Sequence, residues 1–328
     1  MTNLLQERPL SVGVPETARE FTRAIVDGGG GSVVAVLLYG SQLQRSAPDR
    51  YSAWDLMVVV ESYRKFHRAM FEAALQSRQP FLMNLLAPFL PPYVTAFDPP
   101  SMDSGMAKCL VLSEAHFLGT LGPRSRDHFV KGRFVQHVET VWTASPEHET
   151  RIAETLEGAR RNVLVWAGPY LDEPFDAVSL TQRMLAVSFT AELRPETLHR
   201  SLEVWQSQQE WLERIYGGVL AEAEAEGLLQ QDPGGGYRFA RPIGWWHRTR
   251  VRIYFSLSNI RGTVRWAKHV ITFNNWLPYL KRKAERRTGL TIELTPAEER
   301  WPLIFLWPKA IRILRYGRAH GPDEEPLT

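Results

Sequence analysis

Apolar and polar positions follow two periods along this chain, and the change of period divides it. "ETAREFTRAIV" carries apolar residues three and four apart, which predicts a helix. "DGGGG" stops that helix before "SVVAVLLY", an apolar run rich in β-branched residues that predicts a buried strand. "DRYS" leads into a second buried-strand pattern, "AWDLMVVVE", and "YRKFHRAMFEAALQ" returns to helical spacing. The prolines of "PFLMNLLAPFLPPYVTAF" break it into short pieces. "AKCLVLSEAHFLGTL" predicts a strand and then a helix, and "DHFVKGRFVQHVETVW" alternates enough to predict a pair of strands. From about Glu147 the texture is helical, through "ETRIAETLEGARRNVLVWAGPYL", "SLTQRMLAVSFTAEL" and a long stretch ending in "AEAEAEG", an acidic run read as a solvated helix face. "QQDPGGGYRFARP" is expected to be a flexible break, and "AHGPDEEPLT" a loose tail. The expected division is therefore an α/β region at 1–146, a mainly helical one at 147–320 and a tail at 321–328.

Composition narrows the class. With 328 residues, 44% hydrophobic and 23% charged, the chain can bury a sizeable core, and wholesale disorder is excluded. Nothing in it reads as an uninterrupted apolar run long enough to span a bilayer, and "MTNLLQERPLSVGVPE" lacks a charged-then-apolar leader pattern, so the expected compartment is cytoplasmic. A lone Cys109 excludes an internal disulfide and argues against a thiolate metal site. The net charge of +3 conceals an asymmetry: between Arg241 and Arg287 twelve Lys and Arg face one acid, Glu285. Trp245, Trp246, Trp266 and Trp276 lie among these cations. The segment fits a buried helix with solvated charges, an anionic membrane surface or, as the least favoured partner, nucleic acid.

Chemistry concentrates in "LLYGSQ" and "WDLMVVVE". A Gly-Ser pair closing one buried strand, with an aspartate entering the next, is either a tight turn between core strands or a nucleotide site. In the second case Gly40 lets the backbone approach a triphosphate, Ser41 and nearby amides hold its oxygens, and Asp55 ligates Mg²⁺. Met57 stands where a second acid often follows. Glu61 is a further candidate metal ligand. Arg133 and Arg194 offer guanidinium forks for phosphate, and Lys108 and Lys268 offer point charges. His67 lies in a helical pattern and reads as structural, and His116, His128, His137 and His269 have no metal-ligand spacing.

The two strand motifs resemble nucleotidyltransferases of the polymerase-beta type, and the rest of the chain resembles one branch of them, the mitochondrial translocator assembly and maintenance family of phosphatidate cytidylyltransferases. "LLYGSQ", "WDLMVVVESYRKFH", "KCLVLS", "DHFVKGRFVQHV", "PYLDEPFDAVSL", "VSFTAELRPE" and "IRGTVRWAKH" are similar to that family's motifs in the same order. The chain departs from it near His137, in "FLMNLLAPFLPP" and at Ala191 and Glu192. The resemblance implies an α+β fold, with a nucleotidyltransferase domain before a mainly helical region. It implies Mg²⁺-dependent transfer from CTP to phosphatidic acid by a protein held peripherally on the inner face of a membrane. In that reading Asp55, Arg133, Arg194 and Lys268 are catalytic, Gly40, Ser41 and Lys108 bind nucleotide, and Asp55 and Glu61 hold metal. The alternatives are another acceptor, such as a sugar phosphate, a protein or RNA, or an inactive relative that binds membrane or nucleic acid.

Overall fold

A computed structural model describes residues 13–44, 53–97, 106–190, 198–273, 281, 285, 291–300 and 305. The fold is α+β, built on a mixed five-stranded sheet. In chain order the first region contains α1 (Glu16–Gly28), β1 (Val33–Tyr39), the short α2 (Ser41–Gln44), β2 (Trp54–Val60), α3 (Tyr63–Glu72), α4 (Pro80–Leu86) and β3 (Tyr93–Phe97). It continues with β4 (Ala107–Ser113), α5 (Glu114–Leu121), α6 (His128–Phe134) and β5 (Val138–Thr143). The strand order is β3-β4-β2-β1-β5. Only β2 and β4 run parallel; every other pair is antiparallel. All seven residues of β1 are buried, as its unbroken apolar run requires of a strand covered on both faces. Leu37, Leu38 and Leu56 are fully buried, and such burial contributes roughly 1.5–3 kcal/mol per side chain.

Two corrections to the sequence reading have local causes. "DHFVKGRFVQHVETVW" is not a strand pair: its first half is α6, started by Asp127, whose side chain accepts from Phe129 N at 3.0 Å, and only its second half is β5. "QQDPGGGYRFARP" is not a loose break but a hairpin, β6 (Leu229–Gln231) with β7 (Tyr237–Phe239). Gly235 and Gly236, at φ +96° and +84°, turn its tip, and Phe175 and Tyr237 exchange backbone hydrogen bonds that fasten it to the helical region.

That region holds α7 (Pro146–Arg161), α8 (Val163–Ala167), α9 (Ala177–Thr190), α10 (Leu198–Gln206), α11 (Gln209–Ala225) and the 28-residue α12 (Trp245–Thr272). The change of texture near 147 is a change of hydrophobic core within one compact unit, residues 1–272. Residues 273–328 form a second unit, which includes the short α13 (Pro296–Arg300). Residues 321–328 lie outside the described residues. Among those described, no helix is long and apolar enough to cross a membrane.

One face of α12 is fixed to the sheet region by polar groups. Arg265 is fully buried, ion-paired to Asp127, and donates to Leu90 O at 3.0 Å. Lys268 donates to the carbonyls of Phe89, Leu90 and Pro92 at 2.7–2.9 Å, and Thr272 to Val94 O at 3.0 Å. A neighbouring face is open, with Trp245 and Trp246 stacked on each other and exposed, followed by exposed Ile253, Leu257, Ile260 and Val264. A buried-helix reading therefore does not hold for Trp245 and Trp246; Trp276 and the side chain of Trp266 lie outside the described residues.

Asp127→Ala is expected to destabilise the protein by about 3–5 kcal/mol in chemical unfolding, because it leaves the buried Arg265 without its counter-ion. Burial and neighbouring Arg265 push the Lys268 ammonium from its ordinary 10.5 down to about 7. Between those values the unfolded chain keeps a proton that the folded chain has released, so stability rises with pH in that window and is lowest below it. Unfolding at pH 7 and pH 8 should differ by up to about 1 kcal/mol in favour of pH 8. Lys268→Met should flatten that slope while lowering stability at both values.

Candidate active site

The candidate site lies at the end of the sheet where β1 finishes and β2 and β4 begin. Antiparallel pairing sets Asp55 opposite Tyr39, and parallel pairing sets Lys108 beside Asp55. Paired residues in a sheet face the same side, so Tyr39, Asp55 and Lys108 share one face. Asp55 Oδ1 lies 3.4 Å from Lys108 Nζ, and both side chains are partly exposed, at 24% and 33%. Met57, the next residue of β2 on that face, is fully buried between Leu37 and Leu110, where an unpaired carboxylate would be costly.

Gly40 gives this end of the sheet its shape. It turns the chain out of β1 at φ +83°, and a Cβ there would stand 2.7 Å from Asp55 Oδ2 and 3.2 Å from its Cβ. The carboxylate thus rests against bare backbone. Leu43 N donates to Gly40 O at 3.1 Å, closing the turn, and half-buried Ser41 opens α2 directly after it. Tyr39 packs on Phe134 with ring centroids 5.3 Å apart, which brings the end of α6 to the same corner.

The other candidates divide. Arg133, beside Phe134, lays its guanidinium over the Phe129 ring at 3.9 Å and donates to Phe129 O, so its head is engaged with its own helix. Glu61 is at the far end of β2, six residues from Asp55 and about 20 Å away at the rise of a strand. Its backbone N–H bonds Ser32 O and its carboxylate pairs with Lys65 at 2.9 Å, so it cannot share a metal with Asp55. Lys268 is also corrected: its buried amino group is surrounded by the carbonyls of Phe89, Leu90 and Pro92, which turns it away from a phosphate. Arg194 lies outside the described residues.

His67 is buried between Asn84 Oδ1 at 2.7 Å and Tyr93 OH at 2.9 Å, and burial pushes its pKa down to about 4, as a structural histidine requires. Cys109 is buried and burial raises its thiol, which leaves it inert. A polar pair that the sequence left without a role stands at the start of β5: His137 bonds Glu139 at 2.8 Å and stacks on Trp211 at 5.0 Å. Trp211 comes from α11, over seventy residues away, so no local spacing could reveal the cluster.

Among the described residues no group of three His, Cys, Asp or Glu side chains is placed to hold a metal ion. One carboxylate is nevertheless the usual protein share of a Mg²⁺ site that substrate phosphates and water complete. Asp55, open on one side and backed by Gly40, fits that arrangement and does not fit a metal cage made by protein alone.

Gly40→Ala should cost about 1–2 kcal/mol for the left-handed backbone alone, read as a lower thermal midpoint. Because its methyl would displace the Asp55 carboxylate, it should also reduce any Asp55-dependent activity more than its stability loss explains. No protein-family model and no curated protein matches this chain, and what the site can do is read from its geometry.

Proposed function

We propose that this protein is a Mg²⁺-dependent nucleotidyltransferase of the polymerase-beta type that transfers CMP from CTP to phosphatidic acid, giving CDP-diacylglycerol and pyrophosphate. The observation that carries nucleotide transfer is Asp55 packed against the backbone of Gly40 with Lys108 beside it at the open end of the sheet. CTP and phosphatidic acid rest on the motif resemblance.

Each residue has a physical task. Gly40 lets the triphosphate approach the main chain, and the Ser41 hydroxyl with neighbouring amides accepts its charge as hydrogen-bond donors. Asp55 would hold Mg²⁺, which when bound supplies charge neutralisation at the phosphate oxygens. Lys108, held by Asp55 at rest, moves to the phosphates when the carboxylate is taken up by metal, so the ion pair keeps both groups poised. An ionised oxygen of the acceptor's phosphate monoester attacks the α-phosphorus as its bond to the bridging oxygen breaks, and pyrophosphate departs. That nucleophile is already deprotonated at neutral pH, so positioning and electrostatics carry the step without a general base. His137 and Glu139 need no part in it.

A lipid acceptor is supported by α12. Its open face carries two stacked tryptophans and a stripe of aliphatic residues, flanked by exposed Arg250 and Arg252, and the helix contains no acid from Trp245 to Thr272. Indoles favour the headgroup zone and arginines favour anionic lipid, so this face suits peripheral attachment to the cytoplasmic side of a membrane. The second reading, an inactive relative that only binds such a surface, is favoured by the Asp55–Lys108 pair, which neutralises the one carboxylate at the site among the described residues.

Pyrophosphate release measured with Mg²⁺ and each of the four ribonucleoside triphosphates, with and without phosphatidic acid in mixed micelles, separates the readings. Release is expected only with CTP and lipid together, falling by at least about a thousandfold in Asp55→Ala and about a hundredfold in Lys108→Met. Release with the lipid replaced by another acceptor would move the substrate assignment. No release with any triphosphate would leave the binding role.

A further inference from the structure

A second cationic site lies at the other end of the sheet from Asp55. The groove, about 380 Å³ and open to solvent, is lined by α5, the loop joining α5 to α6, the segment 88–91 and Arg261 of α12. That volume is within the range of small-molecule sites. Arg124, Arg126 and Arg261 border it. Among the described residues neither Arg124 nor Arg126 has a carboxylate partner, and both are exposed. The one acid that lines it, Asp127, is already committed: one oxygen caps α6 through Phe129 N, and the other faces Arg265 and, at 3.7 Å, Arg261. Arg261 and the two exposed guanidiniums therefore leave a positive excess over the one carboxylate that lines the groove.

The loop that carries Arg124 and Arg126 is held from behind. Buried Lys131 donates to Gly122 O at 3.0 Å, and Ser125 Oγ bonds the carbonyl and the N–H of Asp127 at 2.9 and 3.2 Å. Such bracing lowers the cost of ordering the loop around a ligand. His116 supplies a neutral donor: its Nδ1 lies 3.0 Å from both the Tyr63 and Ser113 hydroxyls, which fits an accepting Nδ1 and a protonated Nε2. Gly119 leaves the floor open, since a Cβ there would meet nothing within 4 Å, and Leu90 and Pro91 form an apolar wall.

We propose that this groove binds the phosphate group of a small ligand, with the guanidiniums on its oxygens and its organic body against Leu90 and Pro91. Guanidinium forks match phosphate oxygens better than they match a single carboxylate charge, and a doubly charged group answers the local excess. The site is independent of Asp55 and of nucleotide transfer: on the parallel β2–β4 pair Asp55 sits at the level of Lys108, whereas α5 begins after Ser113 at the opposite end.

The test is calorimetric titration of the full chain with sodium pyrophosphate in EDTA, which removes any metal-dependent binding at Asp55, alongside flotation with vesicles containing phosphatidic acid. Saturable pyrophosphate binding is expected, weakened about tenfold for each arginine lost in Arg124→Ala and Arg126→Ala. Gly119→Leu, which fills the groove without changing charge, should abolish binding, whereas Asp55→Ala should leave it unchanged. Circular dichroism of each variant confirms folding. Vesicle binding that Gly119→Leu removes, without pyrophosphate binding, would assign the phosphate to a lipid headgroup rather than a soluble ligand. Absence of binding in both arms, equal binding by the arginine and Gly119→Leu variants, or loss in Asp55→Ala would overturn the proposal.

Discussion

The buried pair of Asp127 and Arg265 is the constraint on which the arrangement of unit 1–272 depends. Removing both charges from water is expensive, and the cost is offset only because each is used several times. Asp127 starts α6 as well as binding α12, and Arg265 also reaches Leu90 O and lies over the Phe129 ring. Lys268 and Thr272 extend the same seam along the carbonyls that lead into β3. Earlier in the same helix the buried residues are apolar, Val251 and Phe255, while the tryptophans and Ile253, Leu257, Ile260 and Val264 remain exposed.

At the other end of the sheet, register does the work. The pairing of β1 with β2 and of β2 with β4 brings three residues far apart in sequence, Tyr39, Asp55 and Lys108, to one corner. Gly40 then leaves out a Cβ that would push the carboxylate away. The same register separates Glu61 from Asp55 by the length of a strand, so an acid close in sequence is distant in space. Burial decides Lys268 in a similar way: a lysine in a basic segment reads as free charge until three carbonyls are seen to surround it.

What could be read from sequence was what depends on near neighbours. The strand patterns of "SVVAVLLY" and "AWDLMVVVE", the glycine stop after α1 and the Gly40-Ser41 turn all rest on residues within a few positions of one another. "DHFVKGRFVQHVETVW" misleads because apolar residues at 130, 134 and 135 also fit a short strand, and the decisive feature is the Asp127 cap held by a residue 138 positions away. The five residues between β6 and β7 read as flexible because glycine is permissive, yet that permissiveness is what a tight hairpin tip needs. The groove of Arg124, Arg126 and Arg261 was invisible for the same reason as the His137 cluster: each is assembled from elements that meet only in the fold.

The seam between α12 and the sheet region also orders events during synthesis. Lys268 and Arg265 bond residues 175 to 179 positions earlier, so the carbonyls of Phe89, Leu90 and Pro92 and the carboxylate of Asp127 emerge from the ribosome long before their partners. Until α12 arrives, these groups must be kept wet, and the sheet can close only around a hydrated gap. Contacts of such long sequence separation are slow to form and leave the partly folded chain exposed to association with others. A nascent chain halted before Arg261 would hold the corner of Gly40, Asp55 and Lys108 complete in sequence but lack the helix that seals the opposite end. Closing this seam is then the expulsion of water from polar groups rather than the collapse of an oily surface.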